Sequence, residues 1–415
     1  MARGRILKAV LAGLCIAGFG LAPAARAAGP DERPGERFEV RPADLPPPYA
    51  TDAVSNGSRY RCCPPDQAFH LPEGFHWNAF ATSVTNARWL ATAPNGDVFV
   101  AMSGPGRIGL LRDGDGDGVA ETKSVFAEGF QRPHGLAVRP GYLYLADVER
   151  VWRIPYEPGD TVARAPAEPV TPEGALGAGS GHWTRNIAFA PDGARFYVAI
   201  GSRGNVGEEP APRASVLSFA VDGSDRRSFA TGLRNPVGIA FYPGADDLYV
   251  VVNERDGLGD GLVPDYLTRV EEGGFYGWPY SYIGAHPQPG LEGKRPDLVA
   301  RAIVPDVLFE SHSAPMGLVF YQENQFPESY RGDAFVAFRG SWNAARPTGY
   351  KIVRVPFEDG RPAGGYENFA TGFWFEGRDR ATVWGRPVGL TVAKDGALLI
   401  ADDTSSTVWR IAYRP

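Results

Sequence analysis

Cysteine is nearly missing from this chain. Of three in 415 residues, Cys15 sits in an apolar run near the start, and Cys62 and Cys63 are adjacent. Two neighbouring cysteines build no disulfide framework. With no CxxC spacing and only His70 and His76 close by, they build no zinc site either. A strained vicinal disulfide, a bridge to another chain and a reduced pair all remain open readings. Positive charge is also short, with 42 Lys and Arg against 48 Asp and Glu and a net charge of −6. An acidic chain lacks the basic footprint that broad nucleic-acid binding requires. Long apolar runs are confined to Ala9–Ala22, too short to span a bilayer comfortably, and no later stretch is long and uncharged enough. No amphipathic helical stretch of useful length occurs, and no CxxCH haem motif.

What is present begins with Arg3, Arg5 and Lys8, the apolar run, Pro23 and a small-residue site at Ala25-Arg26-Ala27. This is the anatomy of a secretory leader cleaved after Ala27, and Cys15 has no lipoprotein box around it. Loss of Arg3, Arg5, Lys8 and Arg26 would take the net charge from −6 to −10. The expected location is periplasmic or secreted, with no membrane insertion. Residues 28–67 are rich in Pro, Asp, Glu and Arg and include PPPY at 46–49; they read as an extended arm.

Beyond the arm a unit repeats. RWLATAPNGDVFVAMS, HGLAVRPGYLYLAD, RNIAFAPDGARFYVAIGS, VGIAFYPGADDLYVVVN, MGLVFYQENQFPESYRGDAFVAFRGS and VGLTVAKDGALLIADD each place a short apolar strand, a turn or loop, and a second aromatic-rich strand. Six copies predict an all-β fold, a six-bladed β-propeller with four-stranded antiparallel blades over residues 68–415. The lone strand in GFHWNAFAT, residues 74–82, is expected to complete the last blade beside TVWRIAY, residues 407–413, and so close the ring.

In such a ring the loops entering the inner strands meet on one face. The equivalent positions are Arg132-Pro133-His134, His182 to Asn186, Arg234-Asn235-Pro236, His312-Ser313-Ala314-Pro315 and Trp384-Gly385-Arg386-Pro387. Turns after the second strands lie nearby, among them Asn253-Glu254-Arg255, Arg339-Gly340-Ser341-Trp342 and Asp402-Asp403. Singly, such residues satisfy backbone carbonyls between blades. Several arginines, three histidines and flat tryptophans facing one cavity suit an anionic, planar ligand that bears carboxylates.

In GHWTRNIAF, GLRNPVGIAF, VNERDGLGD, PDYLTRVEEGGFYGWPYSYIG, SAPMGLVFY, RGSWN and WGRPVGL, taken in order, the chain resembles the soluble quinoprotein glucose dehydrogenase and sorbosone dehydrogenase-like family. The resemblance runs from about Leu71 to the C-terminus. It implies pyrroloquinoline quinone (PQQ) and Ca2+ as cofactors, a small-molecule sugar as substrate, and a separate electron acceptor. It implies His182 as general base toward the substrate hydroxyl and Arg234 against the quinone oxygen where charge develops. Asn235, Arg339 and Arg386 are the further cofactor contacts it implies. Calcium is expected at the turn Glu254-Arg255-Asp256, largely through backbone carbonyls, while Asp260 and Asp265 read as a solvated acidic loop.

The sequence departs from the glucose dehydrogenases at two places. The acid beside the catalytic histidine is Gly181 here, and a second acid aligns with Ser202, so something else must orient the imidazole. The expectation is therefore a PQQ-dependent dehydrogenase of an aldose or related sugar aldehyde, with the sugar unnamed. Two alternatives stand beside it: a metal-dependent sugar lactonase using Glu254, Asn186 and Asp402, and a non-catalytic propeller that binds carbohydrate or protein. Asp113-Gly114-Asp115-Gly116-Asp117-Gly118 imitates the start of an EF-hand loop, but its twelfth position is Ser124 and strands flank it. A bare acidic hairpin and a structural calcium site are equal readings there.

Overall fold

The computed structural model describes Met1 and residues 32–62, 68–177 and 179–415. The expected leader with its cleavage site, and Cys63, lie outside the described residues; Cys62 is disulfide-bonded. Among the described residues the regular structure is nearly all strand, with one four-residue α-helix at Pro296–Val299 and two single 3-10 turns. No helix of the described residues is long and apolar enough to cross a membrane.

The repeat units fold as antiparallel sheets of four successive strands. The first strands are Ala87–Thr92, Gly135–Arg139, Arg185–Phe189, Pro236–Phe241, Pro315–Phe320 and Pro387–Val392. Each pairs with the second strand of its own repeat, and a third and fourth strand follow outward. In the last sheet the fourth position is taken by Phe75–Ala81, which pairs antiparallel with Thr407–Tyr413, Phe75 opposite Tyr413 and Trp77 opposite Ile411. First strands of successive sheets touch one another, and the sixth touches the first.

Period-two alternation sends apolar side chains to both faces of each sheet, and the core forms between sheets. Trp89, Phe99 and Leu110 of the first sheet pack on Leu136 and Leu143 of the second. Leu399, Ala401 and Val408 of the sixth pack on Leu90, Val98 and Val100 of the first. The glycine repeated in HGL, VGI, MGL and VGL has a steric reason. A Cβ on Gly238 would lie 2.5 Å from the carbonyl oxygen of Met316, and one on Gly317 would lie 2.4 Å from that of Val388. At these glycines the adjacent first strand approaches too closely for a side chain.

The arm follows the outside of this body. Arg37–Phe38 adds an edge strand beside Tyr366–Ala370, and Arg59–Tyr60 runs parallel to Thr382–Val383. Glu32 is buried against Lys351, with 3.1 Å between carboxylate and ammonium.

Candidate active site

Three of the first strands begin with proline: Pro236, Pro315 and Pro387. Proline gives no N–H to the ladder. The register of all three strands is irregular directly afterwards. Asn235, Ala314 and Arg386, directly before these prolines, all line one cavity of about 210 Å³.

That cavity also takes His182, Arg234, Glu254, Asp256, Arg339 and Arg88 into its wall. Of the catalytic, cofactor and metal residues that the family resemblance implies, only Arg255 is absent from it. Arg255 donates instead to the backbone oxygen of Asp256 at 3.1 Å and faces the Gln288 amide oxygen.

His182 is held by one residue. Its Nδ1 lies 2.9 Å from the carbonyl oxygen of Ser202 and 3.0 Å from the Ser202 hydroxyl oxygen. That hydroxyl in turn donates to the carbonyl of Gly204 at 2.7 Å. A carbonyl only accepts, so Nδ1 carries the proton and Nε2 of the neutral ring is the basic nitrogen. Burial, then the nearby Arg234, pushes the His182 pKa down to about 4. Gly181 has φ +71°, and a Cβ there would lie 2.1 Å from the Arg203 carbonyl oxygen. No acid fits at 181 in this backbone, and Ser202 does the orienting.

Arg234 is fixed on every side. Its Nε donates to Asn205 O at 3.0 Å, Nη1 to Glu254 O at 2.5 Å and Nη2 to Asn205 Oδ1 at 3.0 Å. Asp256 lies 3.3 Å from Nη2. The carbonyl of Glu254, expected to face calcium, thus accepts from a guanidinium. The beside-lying Asn235 Oδ1 is buried without a hydrogen-bond partner.

Asp403 joins two arginines of the cavity wall, 2.5 Å from Arg88 Nη1 and 2.9 Å from Arg339 Nη2. Burial alone would raise the Asp403 pKa; Arg88 and Arg339 reverse this and hold it well below the usual carboxylate range. Arg386 donates to Arg339 O at 3.0 Å and Gly340 O at 2.8 Å. Burial and then the charge of Arg339 press its pKa down to about 10. Four guanidiniums line a space of this size.

Acidic groups gather on one side. Burial lifts Glu254 to about 8 and Asp265 to about 7. Asp265 accepts from the backbone N–H of Glu254 and of Ala314, each at 2.8 Å. It is buried in the cavity wall, which corrects the reading of a solvated loop: two backbone donors turn its carboxylate inward. Asp260 does stay outside the wall, accepting from Ala345 N–H at 2.9 Å. His312 also lines the cavity, its Nε2 3.0 Å from Gly259 O and its Nδ1 3.8 Å from Asp256. Burial opposes its charge, but Asp256 and Gly259 outweigh burial and raise its pKa.

The sequence places three histidines at the cavity; the structure brings two. His134 is fully buried between Trp89, 4.9 Å away, and Trp183, 5.6 Å away. Burial and the Arg88 charge keep it neutral. Trp384 is likewise a core residue, packed on Phe69 and Trp409, and of the three expected tryptophans Trp342 lines the cavity. Sequence reasoning gave no role to Arg88, which lies in an apolar strand, or to Asn343. Nor does the structure gather the lactonase set: Asn186 donates to Val237 O, and Asp402 accepts from Arg386 N–H, Ser405 and Trp409.

The Asp113 loop lies elsewhere. Carboxylate oxygens of Asp113, Asp115, Asp117 and Glu121 lie within 4.8 Å of one another. Asp113 accepts from Gly116 N–H at 2.7 Å and Gly118 N–H at 2.9 Å.

Known proteins share this architecture. An uncharacterised protein of Borreliella burgdorferi is 32% identical over 235 residues, 56% of this chain and 61% of that protein. The pyrroloquinoline quinone-dependent pyranose dehydrogenase of Coprinopsis cinerea is 25% identical over an alignment covering 85% of this chain and 56% of that one. The chain therefore spans about three-fifths of the length of these curated relatives. The holo PQQ domain of the Coprinopsis cinerea enzyme superposes with a TM-score of 0.71 at 20% identity, covering 86% of this chain and all of that domain. A calcium structure of the Trichoderma reesei family AA12 enzyme gives 0.68 at 18% identity, covering 83% and 97%. At these identities the superpositions speak for the fold. Residues 69–263 and 297–414 match the model of the TrAA12-like family, and the chain belongs to that family.

Proposed function

We propose that this protein is a PQQ- and Ca2+-dependent dehydrogenase that oxidises an aldose or related sugar and passes electrons to a separate acceptor. Its organisation in this reading is a leader at 1–27, an arm at 28–67 and, at 68–415, a six-bladed propeller closed by the N-terminal strand. The observation that carries the proposal is a histidine with its basic nitrogen fixed, set in one cavity with four guanidiniums. The relatives from Coprinopsis cinerea, named for PQQ and for pyranose oxidation, support it.

The residues fit the cofactor. Arg386, its pKa pressed down by burial and then by the charge of Arg339, stands among crowded arginines that call for a polyanion, and PQQ is a tricarboxylate. Arg386, Arg339 and Arg88 would take its carboxylates. The partnerless Asn235 Oδ1 would accept from a donor of the bound group. Burial raises the pKa of Glu254 and Asp265, which a cation would offset, while His312 and Arg234 keep Asp256 ionised against burial; these three carboxylates form the donor set for Ca2+, a hard ion that prefers oxygen. The Arg255 side chain, which donates to the Asp256 carbonyl, has no part in it.

When bound, PQQ supplies the hydride acceptor. The chain supplies the rest. His182 Nε2 takes the proton of the substrate hydroxyl, and Ser202 stabilises the imidazolium through Nδ1–H. Arg234, held rigid by Asn205 and Glu254, presents a fixed positive charge to the oxygen that becomes anionic. Purified protein supplied with PQQ and Ca2+ should oxidise aldoses with a dye acceptor, and His182→Ala should bind PQQ without turnover. No PQQ binding by the wild type would end this reading, and cofactor-independent lactone hydrolysis would replace it with the lactonase.

A further inference from the structure

Large apolar side chains of this chain are mostly buried, but Trp342 is 51% exposed while forming part of the cavity wall. Among the described residues no ring packs on its indole, yet the backbone around it is clamped. Ser341 N–H donates to Thr348 O at 2.9 Å, and the Tyr350 hydroxyl donates to Ser341 O. Asn343 Nδ2 donates to Asp256 at 2.7 Å. The arm completes the clamp from outside. Asn56 N–H donates to Trp342 O at 2.6 Å, and Asn56 Nδ2 donates to Ala344 O at 2.9 Å and to Asp379 O at 2.6 Å.

An indole carried on a clamped backbone at the mouth of a polar cavity presents a flat apolar face with the main-chain ordering entropy already lost. The interior below is built for carboxylates and cations. A pyranose is amphipathic in the matching sense, with hydroxyls at its rim and a face of C–H groups. We infer that Trp342 is the platform on which the sugar ring stacks, and that Asn56 of the arm is its positioning residue. The inference rests on the dehydrogenase reading for the identity of the ligand. It gives a segment outside the repeats a share in substrate recognition.

The test uses the full chain loaded with PQQ and Ca2+, and D-glucose as the probe. Trp342→Ala should raise the aldose KM roughly tenfold, with kcat and PQQ affinity nearly unchanged. Trp342→Phe should restore most of the loss. Asn56→Ala should raise KM a few-fold with the same split. Saturation-transfer NMR should show the glucose C–H protons in contact with the wild type and lose that signal in Trp342→Ala. Unchanged KM and unchanged transfer in Trp342→Ala would overturn the inference. So would absence of any transfer to the wild type, or a parallel loss of PQQ affinity, which would make Trp342 a cofactor contact. If the wild type turns over no aldose but transfer is seen and depends on Trp342, the platform stands and the dehydrogenase reading falls.

Discussion

The imidazole Nδ1 of His182 and the main-chain carbonyl of Ser202 lie 2.9 Å apart, and this contact sets which ring nitrogen can act as base. A backbone oxygen performs the orienting that an acid is expected to perform. Being neutral, it adds little negative charge, consistent with the low pKa of the ring, which burial and Arg234 dictate.

The carbonyl survives any substitution of the Ser202 side chain. Ser202→Ala should therefore lower kcat by less than about tenfold, whereas His182→Ala should cost roughly two to four orders of magnitude. Steady-state rates of the PQQ-loaded variants decide this. A Ser202→Ala loss as deep as that of His182→Ala would show that the hydroxyl, and not the carbonyl, fixes the ring.

Gly181 carries φ +71° with the Arg203 backbone directly against its α-carbon. Gly181→Ala must shift either the His182 backbone or the Arg203 turn. The strain is of the order of 1–3 kcal/mol, so the melting temperature should fall and turnover should fall with it. Normal activity in Gly181→Ala would mean that the two turns move apart freely.

How much of this was legible in the sequence follows from where each residue sits. Period-two strands and turn residues are local signals that the six repeats carry openly, and four of the six add the repeated glycine. His182, Arg234, Asn235 and Arg386 were legible because each lies within the three residues before a first strand, in segments where the chain resembles the family. Arg88 was not, because it sits inside an apolar strand, and its placement depends on Asp403, more than three hundred residues away in the chain. Asp265 reads as a loop acid until the Glu254 and Ala314 N–H groups are seen to turn it inward. His134 shares its sequence position with site residues but is sealed off by Trp89 and Trp183, a packing result that no single repeat encodes.

Asp403 bridges Arg88 and Arg339 in a buried setting. Asp403→Asn leaves two guanidiniums facing each other with no counter-charge, and removing one partner of a buried ion cluster costs about 3–5 kcal/mol. Urea denaturation of the cofactor-free protein should show that loss. Added PQQ should recover part of it, because its carboxylates supply the missing charge. Loss without recovery would place the PQQ carboxylates away from these arginines.

Calcium binding leaves a signature in the dependence of stability on pH. Burial raises Glu254 to about 8 and Asp265 to about 7, both above their unfolded values. Between the unfolded and folded pKa the native state holds protons that the unfolded chain has lost, so stability falls as pH rises through that window. The buried, lowered histidines His182 and His134 work in the opposite sense, since there the unfolded chain binds the extra proton as pH falls. The contribution of Glu254 is therefore read as the difference between wild type and Glu254→Gln. The wild type should lose melting temperature relative to this variant from about pH 5 to pH 8. Ca2+ should restore it most at pH 8, where fewer protons need to be displaced. A calcium-induced shift of equal size at pH 5 and pH 8, or one retained in Glu254→Gln, would remove Glu254 from the metal site.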